Sequence, residues 1–345
     1  MRKILLFFIS LFVGVGLLIW VVGFVGWGEI QSAFLIFSGW NGLIVLLLTF
    51  LMLMVGNWRW SEILKAQGNK ISFFPLFRLY LAGFSLLFFA PMIIFGGETF
   101  RAYFLKEKYS IPWEKGMASV IADRIIELTI YILIILVGVI FLFLHQGLPS
   151  GQISMVLWGV LTFFTFGISI FYFKSFKKQS FLKFFAKIFN PKIDDETPFE
   201  AENEFIKFLK PKKPFFWKVI GLSFLKCSLV FIQIWFLLLC LGKVIGFLPT
   251  VSILSFFYLA RIIPIPAALG THEAFQALAF NGLGLGASFA PAFTMIERGA
   301  ELAVALIGLM IFLRLGAGLI LTVFFRRIEN LSNNKKAPTL NGHFS

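Results

Sequence analysis

Apolar residues run along this chain in blocks of about twenty, not in the short alternation of a half-buried strand or the mixed periods of a soluble helix. Six blocks are unbroken, at about 4–26, 40–58, 118–144, 153–173, 219–241 and 302–325. A helix rises about 1.5 Å per residue, so each block can cross the roughly 30 Å hydrocarbon core of a bilayer. Two further stretches, 76–97 and 250–283, are interrupted by Pro and Gly. The breaks are Pro91, Gly96 and Gly97 in the first, and Pro264, Pro266 and Gly270 in the second. The pattern predicts an all-α polytopic membrane protein with about six full spans and two broken stretches.

Composition agrees: 59% of the 345 residues are hydrophobic and 14% are charged. Soluble domains carry about a quarter charged residues. An ordinary soluble enzyme, a disordered chain and a small disulfide scaffold are therefore excluded. The first block follows Arg2 and Lys3, as in a signal peptide, but it is long and lacks a small-residue cleavage site, so it reads as an uncleaved anchor. Cys227 and Cys240 share one apolar run with no metal-ligand spacing and read as buried thiols.

The net charge of +14 matters once it is placed against the spans. Residues 174–218 hold 11 Lys; 59–78 hold Arg59, Lys65, Lys70 and Arg78; the C-terminus holds Arg326, Arg327, Lys335 and Lys336. The alternate connections, 145–152 and 242–249, have one basic residue between them, Lys243. Because cytoplasmic loops carry the excess of Lys and Arg, both termini and the basic loops are assigned to the cytoplasm of a multi-pass cell-membrane protein. The charge then faces anionic lipid, and nucleic acid is not needed as a partner.

That topology makes 76–97 anomalous, since Arg101, Lys106, Lys108 and Lys115 follow it and it is basic on both sides. A re-entrant hairpin turning near Pro91 and Gly96–Gly97 removes the conflict, provided the irregular backbone is buried or lines a wet cavity. In the connection 174–218, SFLKFFAKIF at 180–189 has the pattern of an interfacial helix, and Thr197-Pro198-Phe199-Glu200 that of a helix start. Residues 1–328 form one transmembrane domain by this reading, and the polar tail 329–345 is expected to be disordered.

Comparing the chain with itself at a shift of 175 lays PMIIFGGETFRA (91–102) on PAALGTHEAFQA (266–277). Pro91 meets Pro266, Glu98 meets Glu273, Phe100 meets Phe275 and Ala102 meets Ala277, while Trp60 falls on Trp235. One residue less brings Asp123-Arg124-x-x-Glu127 onto Glu297-Arg298-x-x-Glu301. In a chain this poor in acids, recurring Pro, Glu and acidic-Arg-x-x-Glu argue for duplication of about 40–144 as about 219–325. The copies start on opposite sides of the membrane, so the repeat is inverted, and the second hairpin re-enters from outside. Interrupted segments at matching places in inverted halves point to a substrate site near the midplane.

Charges at membrane depth cost several kcal/mol by insertion scales and usually face a cavity or one another. The candidates are Glu98, Arg101, Asp123, Arg124 and Glu127 in the first copy, and Arg261, His272, Glu273, Glu297, Arg298 and Glu301 in the second. One reading is structural, with Glu98–Arg124 and Glu273–Arg298 locking the hairpins onto the adjacent helices. The other is a polar groove in which the arginines hold a phosphate bidentately and the carboxylates balance them or take a cationic group. His272 beside Glu273 fits a satisfied buried group better than a proton relay. No metal spacing, nucleophile elbow or Walker-type loop is present, and only three Asp occur, so neither an enzyme, a cofactor nor a metal is expected.

NWRW (57–60), PMIIFGGETFRAYFL (91–105), ASVIADRIIEL (118–128), RIIPIPAALGTHEA (261–274) and IERGAEL (296–302), in this order, resemble the lysylphosphatidylglycerol synthase transmembrane-region family of flippase-like proteins. The resemblance covers about residues 1–328. The second hairpin departs from the common Pro-Gly-Gly-x-Gly form, reading Pro266-Ala267-Ala268-Leu269-Gly270. The resemblance implies movement of a phospholipid or glycolipid headgroup between leaflets, with Glu98, Arg101, Asp123, Arg124, Glu273 and Arg298 carried over at motif level. It implies no lysylphosphatidylglycerol synthesis, because no aminoacyl-transferase domain follows. A membrane glycosyltransferase or accessory subunit, and a small-solute carrier, are the alternatives. Membrane lipids are the expected partners, with a homo-oligomer or a biosynthetic enzyme as further candidates.

Overall fold

The computed structural model describes residues 39–89, 96–146, 214–262, 271–286 and 289–336, with scattered positions between 159 and 173. The expected spans 4–26 and, almost wholly, 153–173 lie outside these, as do Pro91, Pro264, Pro266 and Gly270, the interfacial segment 180–189 and the helix start at 197–200. Among the described residues all regular secondary structure is helical. In order, the helices are α1 (Trp40–Ala66), α2 (Phe73–Phe89), α3 (Gly96–Tyr109), α4 (Trp113–Gln146), α5 (Pro214–Cys240), α6 (Phe247–Ile262), α7 (Thr271–Gly282) and α8 (Phe289–Lys336).

Within α1, α4, α5 and α8 lie helical stretches long and apolar enough to cross a membrane, matching four of the six expected spans. The helices outrun the apolar blocks. Helix α1 continues to Ala66 instead of ending near residue 58, because Ser61-Glu62-Ile63-Leu64-Lys65-Ala66 contains good helix formers and no breaker. Arg59 therefore belongs to a helix and not to a basic loop. Helix α5 begins at Pro214, a residue suited to a first helical turn. Helix α8 runs through Lys336, so the tail from 329 is helical at least that far.

Both halves have the order long, short, short, long, and their local bonds recur at matching places. Thr49 and Ser223 each donate to the carbonyl four residues back (Val45 and Val219, both at 2.9 Å). Past the ends of α1 and α5, Asn69 N–H bonds the Leu64 carbonyl and Lys243 N–H the Leu238 carbonyl. This register pairs Arg59 with Gln233 and Trp60 with Ile234, all at most 1% exposed. The expected match of Trp60 with Trp235 is one residue out: Trp235 is 44% exposed, on the lipid side. The period of the helix, not residue type, decides which position is the equivalent one.

Helices α1 and α5 pack antiparallel, with Gln233 bonded to Thr49 near one end and Lys218 paired with Glu62 near the other. The halves then exchange partners. Helix α4 packs on α6 of the second half, and α8 on α2 of the first. Both crossings use a glycine. A Cβ on Gly138 would run into Val251 O and Ser255, and one on Gly308 into Leu81 O and Ser85. In lipid there is no hydrophobic force between helices, so small residues that admit close backbone approach supply the packing. Large apolar side chains instead form outward stripes: Leu43, Leu47 and Leu51 on α1, Leu133, Val137, Ile140 and Leu144 on α4.

Each pair of short helices folds back on itself. In α2/α3, Gly83 touches both the backbone of Gly97 and the side chain of Arg101. In α6/α7, Gln276 Nε2 donates to Ile253 O at 3.3 Å, and Phe256 meets Phe275. The arms have 17, 14, 16 and 12 residues. At 1.5 Å per residue, that is about 18 to 26 Å, short of a full crossing.

Candidate functional site

The charges of the first half converge where α1, α3, α4 and α5 meet. Helix α4 sets the frame, because Asp123, Glu127 and Tyr131 recur every four residues and so share one face. Arg59 Nε donates to Asp123 Oδ1 at 2.6 Å, and its Nη2 lies 3.8 Å from Glu127 Oε1. Arg101 Nη1 lies 3.7 Å from Asp123 Oδ2, so both oxygens of this aspartate face an arginine. Arg124 donates through Nε and Nη2 to Glu98 Oε1 (3.1 and 2.8 Å) and through Nη1 to Glu127 Oε2 (2.8 Å). Glu127 also receives Lys226 Nζ, from α5, and the Tyr131 hydroxyl at 3.1 Å.

Four cations thus meet three carboxylates. Arg59, Arg101, Asp123, Glu127 and Glu98 are at most 7% exposed, whereas the Arg124 side chain is 31% exposed and forms the rim. The Arg101 guanidinium sits 4.2 Å from the Tyr80 ring centroid and 5.3 Å from that of Trp60, where the aromatic faces favour a cation. Trp60 is held by a bond from its Nε1 to Ser119 Oγ at 3.1 Å. Among the described residues two donors of the cluster lack a hydrogen-bond partner, Arg59 Nη2 and Arg101 Nε. A narrow cleft opens beside it, lined by Arg59, Glu127, Tyr131, Ser223, Lys226 and Tyr258. Tyr131 and Tyr258, from opposite halves, stack there at 4.0 Å between ring centroids.

The second half is built differently. Arg261 pairs with Glu301 and lies 4.5 Å from the Phe257 ring centroid. His272 is 1% exposed, edge-on to Phe257. Glu273 and Glu297 are the carboxylates acting on Arg298, yet Glu273 Oε2, Glu297 Oε2, Arg298 Nε and His272 Nδ1 have no hydrogen-bond partner among the described residues. The expected Glu98–Arg124 lock is therefore present. Its expected copy, Glu273–Arg298, is not closed by a hydrogen bond, and His272 is not the satisfied group the sequence pointed to.

Sequence reasoning missed Arg59, counted as an orientation charge, and Lys226, Tyr80 and Tyr131. Lys226 carried a usable signal, being the one charge in 219–241. Cys227 is buried as expected, whereas Cys240 is exposed on the last turn of α5.

The family model for the lysylphosphatidylglycerol synthase TM region matches residues 7–308, which takes in every residue of both clusters. The chain belongs to this family. It is 26% identical over 270 residues to a UPF0104 membrane protein of Methanocaldococcus jannaschii, covering 74% of this chain and 79% of the relative. It is 24% identical over 303 residues to a UPF0104 membrane protein of Methanothermobacter thermautotrophicus, covering 84% and 89%. No solved structure matches the chain. It is a multi-pass membrane protein by family and by its apolar helices.

Proposed function

We propose that this chain moves an anionic lipid headgroup, of a phospholipid or glycolipid, between the leaflets of the cell membrane, with its basic ends in the cytoplasm. The supporting observation is the first cluster: four cations against three carboxylates, set beside the antiparallel α1 and α5, with two arginine nitrogens lacking a hydrogen-bond partner among the described residues. One phosphate brings the charge that this excess lacks, and arginine's fork suits two of its oxygens. Arg124 is the exchangeable member. It is the exposed one, and it can trade Glu98 and Glu127 for phosphate oxygens without opening the Arg59–Asp123 pair beneath.

The reaction requires no bond to form or break in the lipid, so no catalytic residue is assigned. The short hairpin arms are the elements that let a headgroup reach the cluster while the acyl chains stay in lipid. Proteoliposomes carrying the protein and a fluorescent anionic phospholipid test this. Replacing Arg124 by Gln should slow translocation about tenfold or more, since hydrogen bonds to a charged group contribute about 1.5–3 kcal/mol. Unchanged translocation in a folded Arg124→Gln protein would remove the site assignment. Chemical modification of a lipid acceptor in detergent would favour the glycosyltransferase reading instead, and uptake of a water-soluble anion the solute-carrier reading.

A further inference from the structure

The two halves hold an equivalent acid in opposite circumstances. Asp123 on α4 is ion-paired through both oxygens, to Arg59 and to Arg101. Its counterpart on α8 is Glu297. At the place of Arg59 the second half has Gln233, and at the place of Arg101 it has Gln276. Duplication has kept the acid and lost both charges that hold it. Glu297 is 2% exposed and its Oε2 has no hydrogen-bond partner among the described residues.

The groups around it do not replace the clamp. Arg261, from α6, and Arg298, beside it on α8, are the charges that act on it most. Arg261 is committed to Glu301. Arg298 is shared with Glu273 of α7, and its own Nε is unpartnered. Helix α7 adds His272 and the amide oxygen of Gln276, both buried, whose Nδ1 and Oε1 have no hydrogen-bond partner among the described residues. The buried charges of α1 are engaged elsewhere, Arg59 with Asp123, and Glu62 with Lys65 and Lys218. Helix α2 meets α8 at Gly308 through Leu81 and Ser85, and its Arg78 is exposed.

A buried carboxylate with an open oxygen is costly at membrane depth, and taking up a proton removes the cost. A sodium ion would find acceptors here, but two arginines stand against it. We propose that Glu297 is a proton-binding site, and that its loading from one side and release to the other ties headgroup movement to a proton gradient. One proton passes from water to Glu297 Oε2 and back to water; no other bond changes. The coupling rests on the transport reading above, whereas the proton site does not.

Infrared difference spectra of the full chain in lipid nanodiscs, acidic minus alkaline, test the site directly. The carbonyl band of a protonated carboxyl should appear in the wild type and lose intensity in Glu297→Gln. A band unchanged by the substitution, or none, overturns the site. Stability gives a second readout: at neutral pH Glu297→Gln should leave the thermal midpoint unchanged or raised, while Asp123→Asn should lower it. Equal losses would mean that Glu297 is ionised and held, which also overturns the site. For coupling, a gradient of one pH unit across proteoliposomes can bias a one-proton process by up to about tenfold. The wild type should respond to it and Glu297→Gln should not. Lipid movement indifferent to the proton gradient, or driven by sodium instead, overturns coupling. Absence of lipid movement under every condition would refute the transport reading and coupling together, leaving the infrared result to decide the proton site.

Discussion

Individual charges in this protein divide by exposure into those that hold the fold and those that can exchange partners. Arg59 is 1% exposed and faces Asp123 and Glu127, so its loss strands two buried carboxylates. Breaking a buried pair from one side costs about 3–5 kcal/mol. Arg59→Leu should accordingly lower the thermal midpoint in detergent far more than Arg124→Gln, which keeps a hydrogen-bonding amide at the rim, where the native side chain is 31% exposed. The same comparison separates stability from transport: Arg59→Leu is expected to lose both, and Arg124→Gln transport alone. Lys226→Met should fall with Arg59→Leu, because Glu127 would lose the cation that α5 contributes. Size-exclusion profiles and unfolding midpoints, read before any transport assay, check this ordering.

The helices are joined by contacts that tolerate no added volume. Gly138 on α4 and Gly308 on α8 each make a close crossing with a short helix of the other half, one helical turn apart in the repeat register. Gly138→Leu and Gly308→Leu should each separate a long helix from the partner half and reduce stability by several kcal/mol, with similar losses in the two variants. A large loss in one and none in the other would show that the crossings are not equivalent. Gly97 plays a different part. A Cβ there meets the Gly83 carbonyl, backbone that cannot turn aside, so Gly97→Ala should open the α2/α3 hairpin and displace Glu98. The expected outcome is faster proteolysis at the hairpin and loss of the Glu98–Arg124 pair, checked by the failure of Glu98→Gln to reduce transport further in the Gly97→Ala background.

At the scale of the whole molecule, the Glu62–Lys218 pair brings the end of α1 beside the start of α5, so Lys65 and Lys218 lie at one edge, with Lys70 just past the end of α1. The end of α5, with Val244 just past it, lies at the other. In a protein lacking Cys227 and Cys240, Lys70→Cys should react with a membrane-impermeant maleimide only in inside-out vesicles. Val244→Cys should react only in right-side-out vesicles. The reverse pattern would invert the assigned orientation while leaving the fold intact.

Much of this was legible in order of residues alone. Four of the spans, both interrupted stretches and the recurrence of the acidic-Arg-x-x-Glu motif follow from hydropathy and spacing, because in lipid each helix must satisfy its own backbone and does so locally. The Glu98–Arg124 pair was readable for a related reason, since few charges are available at that depth to pair. Where the helices stop was not, because apolarity ends before helix propensity does; Arg59 was misplaced for this cause. Nor was the difference between the halves. Asp123 and Glu297 look alike in sequence, and only the packing of α1 and α3 against α4 shows that two arginines hold the first while glutamines stand at the matching places of the second. The sequence by itself determined the class, four of the spans and the recurrence of the charged motif, each a matter of local pattern. The tertiary structure decided which charges are locked and which are open, since that depends on helices far apart in the chain arriving at one point.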